Sequence, residues 1–297
     1  MNRVMVLLLP LTFLALGGEA VRAGASDYPN AGLLVETADL ANLLSQPGVR
    51  LLDARPPEEY RQGHIPGAVN LPAPATDSIE ANRQGFPLPL DRAQELFRGA
   101  GISANSRVIV YDNQGNRFAA RVFYVLEFFG HRNVQVLNGG FPKWQSEGRL
   151  TTINVPTVPS GDFVAAARGE VIATSEWVAK HMTDAKVKVV DARSAEEFSG
   201  EKVMGPRGGH VPGAVNVEWT RLLDSGDVKT ILGSADLEKL LAAAEVKPEQ
   251  EIVTYCQSGM RASLTYLALR LMGYPRVRIY DGSWSEWGAN SNLPVEK

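Results

Sequence analysis

The sequence predicts an α/β protein of two similar lobes in tandem, each a mainly parallel central sheet flanked by helices on both faces. Three observations carry this reading. The chain repeats itself once, short apolar runs alternate with helical stretches, and those runs lack the polar alternation of a half-exposed strand. At 297 residues, the chain is long enough for two domains that each bury a core.

The repeat is direct. Leu51-Leu52-Asp53-Ala54-Arg55 answers to Val189-Val190-Asp191-Ala192-Arg193, and Glu58-Glu59-Tyr60 to Glu196-Glu197-Phe198. His64-Ile65-Pro66-Gly67-Ala68-Val69-Asn70 answers to His210-Val211-Pro212-Gly213-Ala214-Val215-Asn216. Asn138-Gly139-Gly140-Phe141 and Trp144 answer to Asp281-Gly282-Ser283-Trp284 and Trp287. A period of this length marks a duplicated domain rather than a solenoid.

In chain order, residues 1–23 read as an export signal. Arg3 gives a positive start, Val4 to Ala15 is apolar apart from Pro10 and Thr12, and Val21-Arg22-Ala23 suits a cleavage site. That apolar run falls well short of the roughly 20 residues that span a bilayer. The expected mature chain is periplasmic or secreted, without stable membrane association. The first lobe is placed at 28–150 and the second at 170–297. Residues 151–169, with Pro156, Pro159 and Gly161, form the linker. Strands are expected at Val49–Asp53, Arg107–Tyr111, Val134–Leu137, Val187–Asp191, Glu251–Tyr255 and Arg276–Tyr280. Helical spacing covers Thr37–Gln46, with Thr37 as N-cap, and Ala235–Ala244.

Composition narrows the chemistry. Thirty basic against 33 acidic side chains leave a net charge of −3, which argues against a nucleic-acid partner. A single cysteine, Cys256, rules out an intramolecular disulfide and any cysteine-rich metal site, and four histidines leave little for another. No metal and no organic cofactor is expected.

The repeat also acts as an internal control: what both lobes keep serves the fold, and what one lobe alone has is a candidate for chemistry. His64 and His210 share a turn that they order, and Trp144 and Trp287 share a packing position. The contrast falls after the central strand. One copy reads Tyr255-Cys256-Gln257-Ser258-Gly259-Met260-Arg261; the other reads Tyr111-Asp112-Asn113-Gln114-Gly115-Asn116-Arg117. Cys256 follows an apolar strand, at the edge where α/β folds place ligands, and precedes a helical run over Ala262–Met272. A loop curling into a helix start aims backbone N–H groups and the helix dipole at one point, which favours a thiolate. Arg261 adds positive charge, so Cys256 is the expected nucleophile. A second one-copy feature is an insertion of eight residues within Ser199–Gly209, carrying Lys202 and Arg207. It reads either as a tolerated surface loop or as a charged pocket wall.

These residues resemble the tandem-domain rhodanese sulfurtransferases. Tyr60-x-x-x-His64-Ile65-Pro66-Gly67-Ala68 and Tyr280-Asp281-Gly282-Ser283-Trp284-x-Glu286-Trp287 look like that family's two signatures, and Cys256-x-x-Gly259-x-Arg261 resembles its active loop. The resemblance implies two rhodanese-like domains, the first non-catalytic, with Asp112 in place of the cysteine. It implies transfer of sulfane sulfur from a small anionic donor such as thiosulfate to a thiophilic acceptor, cyanide, a thiol or a partner protein, through a Cys256 persulfide. Gln257, Ser258, Gly259, Met260 and Arg261 would form the binding loop, with the N–H groups of Gln257 to Ser263 around the persulfide. Arg193 would bind the donor's anionic end, although Arg55 repeats it in the other lobe. Neutral Gln257 and Ser258 resemble 3-mercaptopyruvate enzymes more than thiosulfate ones. Related phosphatases carry Cys-x5-Arg loops one residue longer than the spacing from Cys256 to Arg261.

Overall fold

The computed structural model describes residues 27–78 and 86–297, so the export signal read over 1–23 lies outside them. The first lobe runs β1 (Leu34–Val35), α1 (Thr37–Leu43), β2 (Val49–Asp53), α2 (Pro57–Gln62), β3 (Val69–Asn70), α3 (Leu90–Gly99), β4 (Arg107–Tyr111), α4 (Arg117–Phe128), β5 (Val134–Leu137) and α5 (Gly140–Ser146). The second runs β6 (Ile172–Ala173), α6 (Ser175–His181), β7 (Val187–Asp191), α7 (Ala195–Ser199), β8 (Val215–Asn216), α8 (Ser234–Ala243), β9 (Glu251–Tyr255), α9 (Met260–Leu271), β10 (Val277–Tyr280) and α10 (Ser283–Trp287).

Among the described residues each lobe holds five parallel strands, ordered β1-β5-β4-β2-β3 and β6-β10-β9-β7-β8. The β2–β4 register runs from Val49↔Arg107 to Asp53↔Tyr111, and β7–β9 from Val187↔Glu251 to Asp191↔Tyr255. Parallel strands covered on both faces need apolar side chains throughout, which is why these runs do not alternate. Five of the six predicted strands match residue for residue; β10 starts at Val277, one residue late.

Helix starts and ends differ more. α1 stops at Leu43 because Pro47 bars its extension, and its N-cap is Glu36, not Thr37. The Thr37 hydroxyl instead donates to the Glu147 carboxylate. α9 begins at Met260, two residues ahead of expectation.

Helices α4 and α9 are buried nearly all round and pack together between the two sheets. The Tyr124 and Tyr266 rings meet edge-on at 5.2 Å, and Glu127 accepts from Tyr266 Oη (2.8 Å) and Arg270 Nη1 (3.2 Å). Arg117, at the start of α4, lies in the electrostatic field of Arg261, at the start of α9. The pair is thus parallel, with both N-termini at one end. One core runs through this interface, from Leu52, Val110 and Phe123 to Ile252, Cys256 and Leu267, while each outer face has its own cluster. Trp144 and Trp287 sit in those outer clusters. His64 and His210 order their turns: each Nδ1 lies 2.9 Å from a carbonyl, of Tyr60 and Phe198, and each ring stacks on that residue's ring.

Candidate active site

Cys256 ends the apolar strand β9 and is 1% exposed, at the floor of the loop rather than on its rim. Only Gln257 and Ser258 separate it from Gly259, the N-cap of α9, whose φ of +83° is left-handed. A Cβ there would stand 2.3 Å from Asp281 Oδ1, so both conformation and space require glycine. Ser283 fixes both ends of the loop. Its Oγ accepts from the N–H groups of Cys256 (3.2 Å) and Gly259 (3.1 Å) and donates to the Tyr280 carbonyl (2.8 Å).

The amide of Ser263 donates to the Gly259 carbonyl. The expected cradle therefore loses two donors, Gly259 and Ser263. Among the described residues, no acceptor takes the N–H groups of Gln257, Ser258, Met260, Arg261 or Ala262. The last three open α9, where the helix supplies no internal acceptor. Five free donors and a helix N-terminus therefore adjoin the cysteine, a setting that stabilises negative charge.

The first lobe shows what such a loop does with an anion. Asp112 Oδ1 accepts from the amides of Gln114 (2.8 Å) and Asn116 (3.0 Å), and Oδ2 from Phe118 (2.6 Å) and Ala119 (2.9 Å). Burial pushes the Asp112 carboxyl above its ordinary range, and the four N–H bonds pull it back. Both oxygens face only donors, so the geometry suits the ionised form. Asp112 is a built-in anion in its own cradle.

The two loops are not superimposable residue by residue. Asn116 is the N-cap of α4, as Gly259 is of α9, and both helices have 12 residues. Three residues separate Asp112 from its cap and two separate Cys256 from its own. The matched spacing of Gly115 and Arg117 with Gly259 and Arg261 is thus a coincidence of sequence: Arg117 occupies the helical position of Met260. The Cys256 loop is one residue shorter.

Arg261 reaches across to Glu197 on α7, Nη1 to Oε2 at 2.7 Å and Nη2 to Oε1 at 2.9 Å. Burial opposes the Arg261 charge, but the Glu197 hydrogen bonds and the neighbouring Cys256 outweigh it and raise its pKa. Burial likewise raises Glu197, yet the Arg261 hydrogen bonds and charge hold it down at about 2. The charge of Arg261 beside the cysteine is therefore largely matched. Glu197 was legible only as part of a repeated Glu-Glu pair.

Arg193 is held by contacts within the fold. It is 1% exposed, its Nε and Nη2 are bound to Asp191, and Nη2 also donates to the Gly209 carbonyl at 2.8 Å. Arg55 repeats the arrangement with Asp53 and Gly63, so both arginines pin a strand end to a turn. The insertion does reach the loop, because Gln257 Nε2 donates to the Met204 carbonyl (3.1 Å) and to Ser285 Oγ (3.1 Å). Its Arg207 donates to the carbonyls of Trp287, Gly288, Asn290 and Leu293, which ties the insertion to the C-terminal segment. The wall forms without that charge facing the cysteine.

Sequence reasoning missed Ser283 and the pair behind the loop, Arg121 Nη1 to Asp281 Oδ1 at 2.5 Å, with Arg121 Nη2 also 2.7 Å from Asp77. The signal for Ser283 was present: it replaces Gly140 in the repeat as Cys256 replaces Asp112. Burial pushes the Asp281 carboxyl up to about 7, with Arg121 pulling it back.

The whole arrangement has known counterparts. The chain is 35% identical to thiosulfate sulfurtransferase of Azotobacter vinelandii, over 91% of this chain and 99% of that one. It is 35% identical to 3-mercaptopyruvate sulfurtransferase of Escherichia coli K12, over 86% and 95%. The crystal structure of the 3-mercaptopyruvate sulfurtransferase SseA from Escherichia coli aligns with a TM-score of 0.76 at 31% identity, covering 86% of this chain and 99% of that one. The Rhodanese-like domain is matched twice, at residues 36–147 and 174–290. With two such domains across most of its length, this chain belongs to the rhodanese family.

Proposed function

We propose that the protein moves sulfane sulfur from thiosulfate to cyanide or a thiol through a Cys256 persulfide. The observation that carries this is the pairing of Cys256 with unsatisfied loop amides where the other lobe binds its own carboxylate. The Cys256 thiolate attacks the outer sulfur of thiosulfate, an S–S bond forms, and the donor's own S–S bond breaks. Its electron pair leaves on sulfite, and the negative charge ends on the persulfide's terminal sulfur. The loop amides hold that charge without reorganising, as an oxyanion hole does. A thiophilic acceptor then takes the outer sulfur and restores the thiolate, a ping-pong cycle. This chemistry needs neither a metal nor an organic cofactor, and no nucleic acid takes part.

A second donor, 3-mercaptopyruvate, is favoured by one observation: the residues after Cys256, Gln257 and Ser258, are neutral. A protein acceptor suits the exposed Val203 and Met204 beside the loop. The charged start, short apolar run and small residues of 1–23 support reading the mature chain as periplasmic or secreted, without stable membrane association. Initial rates of thiocyanate formation at varied donor and cyanide test the scheme. Parallel double-reciprocal lines are expected, with thiosulfate the better donor by kcat/KM. Converging lines would overturn the ping-pong scheme, and a better rate with 3-mercaptopyruvate would reassign the donor.

A further inference from the structure

We propose that Arg117, contributed by the lobe without the cysteine, holds the anionic end of the sulfur donor while Cys256 attacks its outer sulfur. This rests on the persulfide reading above. Thiosulfate carries its negative charge largely on the sulfonate oxygens, and sulfite leaves with it, so the step needs a cation that is not already matched. Arg193 is bound to Asp191, Arg261 to Glu197, Arg121 to Asp77 and Asp281, and Arg207 to four carbonyls. Arg117 differs from all of them.

It is half-buried, and among the described residues no carboxylate forms an ion pair with it. Its Nη2 donates to the neutral side-chain oxygen of Gln114, and its buried Nε has no partner. Asp112 is the carboxylate in its field, but both Asp112 oxygens face the four amides of their own cradle. The guanidinium lies over two rings, Phe118 at 4.8 Å and, across the lobe boundary, Trp219 at 5.5 Å. It is therefore turned toward the second lobe, at the end of the helix pair where α9 begins. Gly115, two residues earlier, presses on the same wall: a Cβ there would stand 2.6 Å from Leu223 Cδ1 and 3.5 Å from Trp219.

This placement follows from the longer loop of the first lobe. Because that loop has one extra residue before its cap, Arg117 is the first residue of α4 where Arg261 is the second of α9. Arg117 binds the donor directly: it brings no atom that reacts, and it aligns the donor's sulfur–sulfur bond with the thiolate.

The test compares wild type, Arg117→Met and Arg117→Lys in both half-reactions, with thermal midpoints confirming that all three fold. Loading is followed as sulfite release against thiosulfate concentration. Discharge is followed from persulfide preformed at saturating thiosulfate, to 2-mercaptoethanol. Arg117→Met is expected to raise KM for thiosulfate about 10- to 100-fold, the effect of losing one charged hydrogen-bonding partner, with discharge at the wild-type rate. Arg117→Lys is expected to recover part of the loss, and sulfite should inhibit loading more weakly in Arg117→Met. An unchanged KM in Arg117→Met, or an equal loss in loading and discharge, would overturn the assignment. If wild type loads from 3-mercaptopyruvate and not from thiosulfate, the donor reading fails while the same KM rise is required against the mercaptopyruvate carboxylate. If wild type loads from neither, the persulfide reading and the role of Arg117 fall together.

Discussion

The loops after β4 and β9 descend from one design and have diverged in opposite directions. At Asp112 the loop closes on itself: a carboxylate accepts four N–H bonds and nothing is left for a ligand. At Cys256 the loop is one residue shorter, five of its amides have no acceptor among the described residues, and Ser283 ties its two ends together. The first loop contributes stability and the second holds the chemistry. A buried cradle without an anion is costly in proportion to its unsatisfied donors. The catalytic lobe carries that cost as readiness for a thiolate and then a persulfide.

The largest effect that sharpens the comparison is on activity. Cys256→Ser is expected to lower thiocyanate formation by about 1,000-fold or more while shifting stability by less than about 1 kcal/mol. Asp112→Ala should do the reverse, leaving four amides bare at a cost of about 3–5 kcal/mol, with kcat per folded molecule kept at saturating donor. Urea unfolding alongside cyanide turnover reads both, and an Asp112→Ala chain as stable as wild type would break the contrast. Gly259→Ala comes next, since its Cβ must push Asp281 aside and φ is +83°. A loop displaced by about an ångström should cost about 100-fold in kcat. Asn116, the equivalent cap at φ +66°, should accept glycine with turnover unchanged.

The smallest effect concerns Glu197. Its native pKa of about 2 lies below its unfolded value, so its contribution is complete above about pH 4.5 and is lost as pH falls toward 2. Glu197→Gln should therefore destabilise the chain by about 2 kcal/mol at neutral pH and converge with wild type near pH 2. Unfolding midpoints across that range test the sign, and parallel curves would contradict it.

The strands were legible because both-sided burial writes continuous β-branched runs, and β2, β4, β5, β7 and β9 match their predicted ranges. The two-residue strands β1, β3, β6 and β8 are too short to carry a pattern and were not read. Cys256 was legible because the repeat set Asp112 against it. Glu197 and Arg121 were not, because folding brings them to the loop from elements distant in sequence, whereas Ser283 left its signal in replacing Gly140 of the repeat. The resemblance gives Arg193 a place at the donor, and in the structure it and its repeat Arg55 each pair with the aspartate two residues before. The Gly-x-Arg spacing shared by the loops concealed the one-residue difference that places Arg117.

The most direct measurement is intact mass of wild type and Cys256→Ser after thiosulfate, followed by peptide mapping. Wild type should gain one sulfur atom, carried on Cys256 and removed by cyanide, and Cys256→Ser should gain none. Sulfur retained by Cys256→Ser, or a wild type that gains none from either donor, would contradict the assignment of Cys256 as the site of transfer.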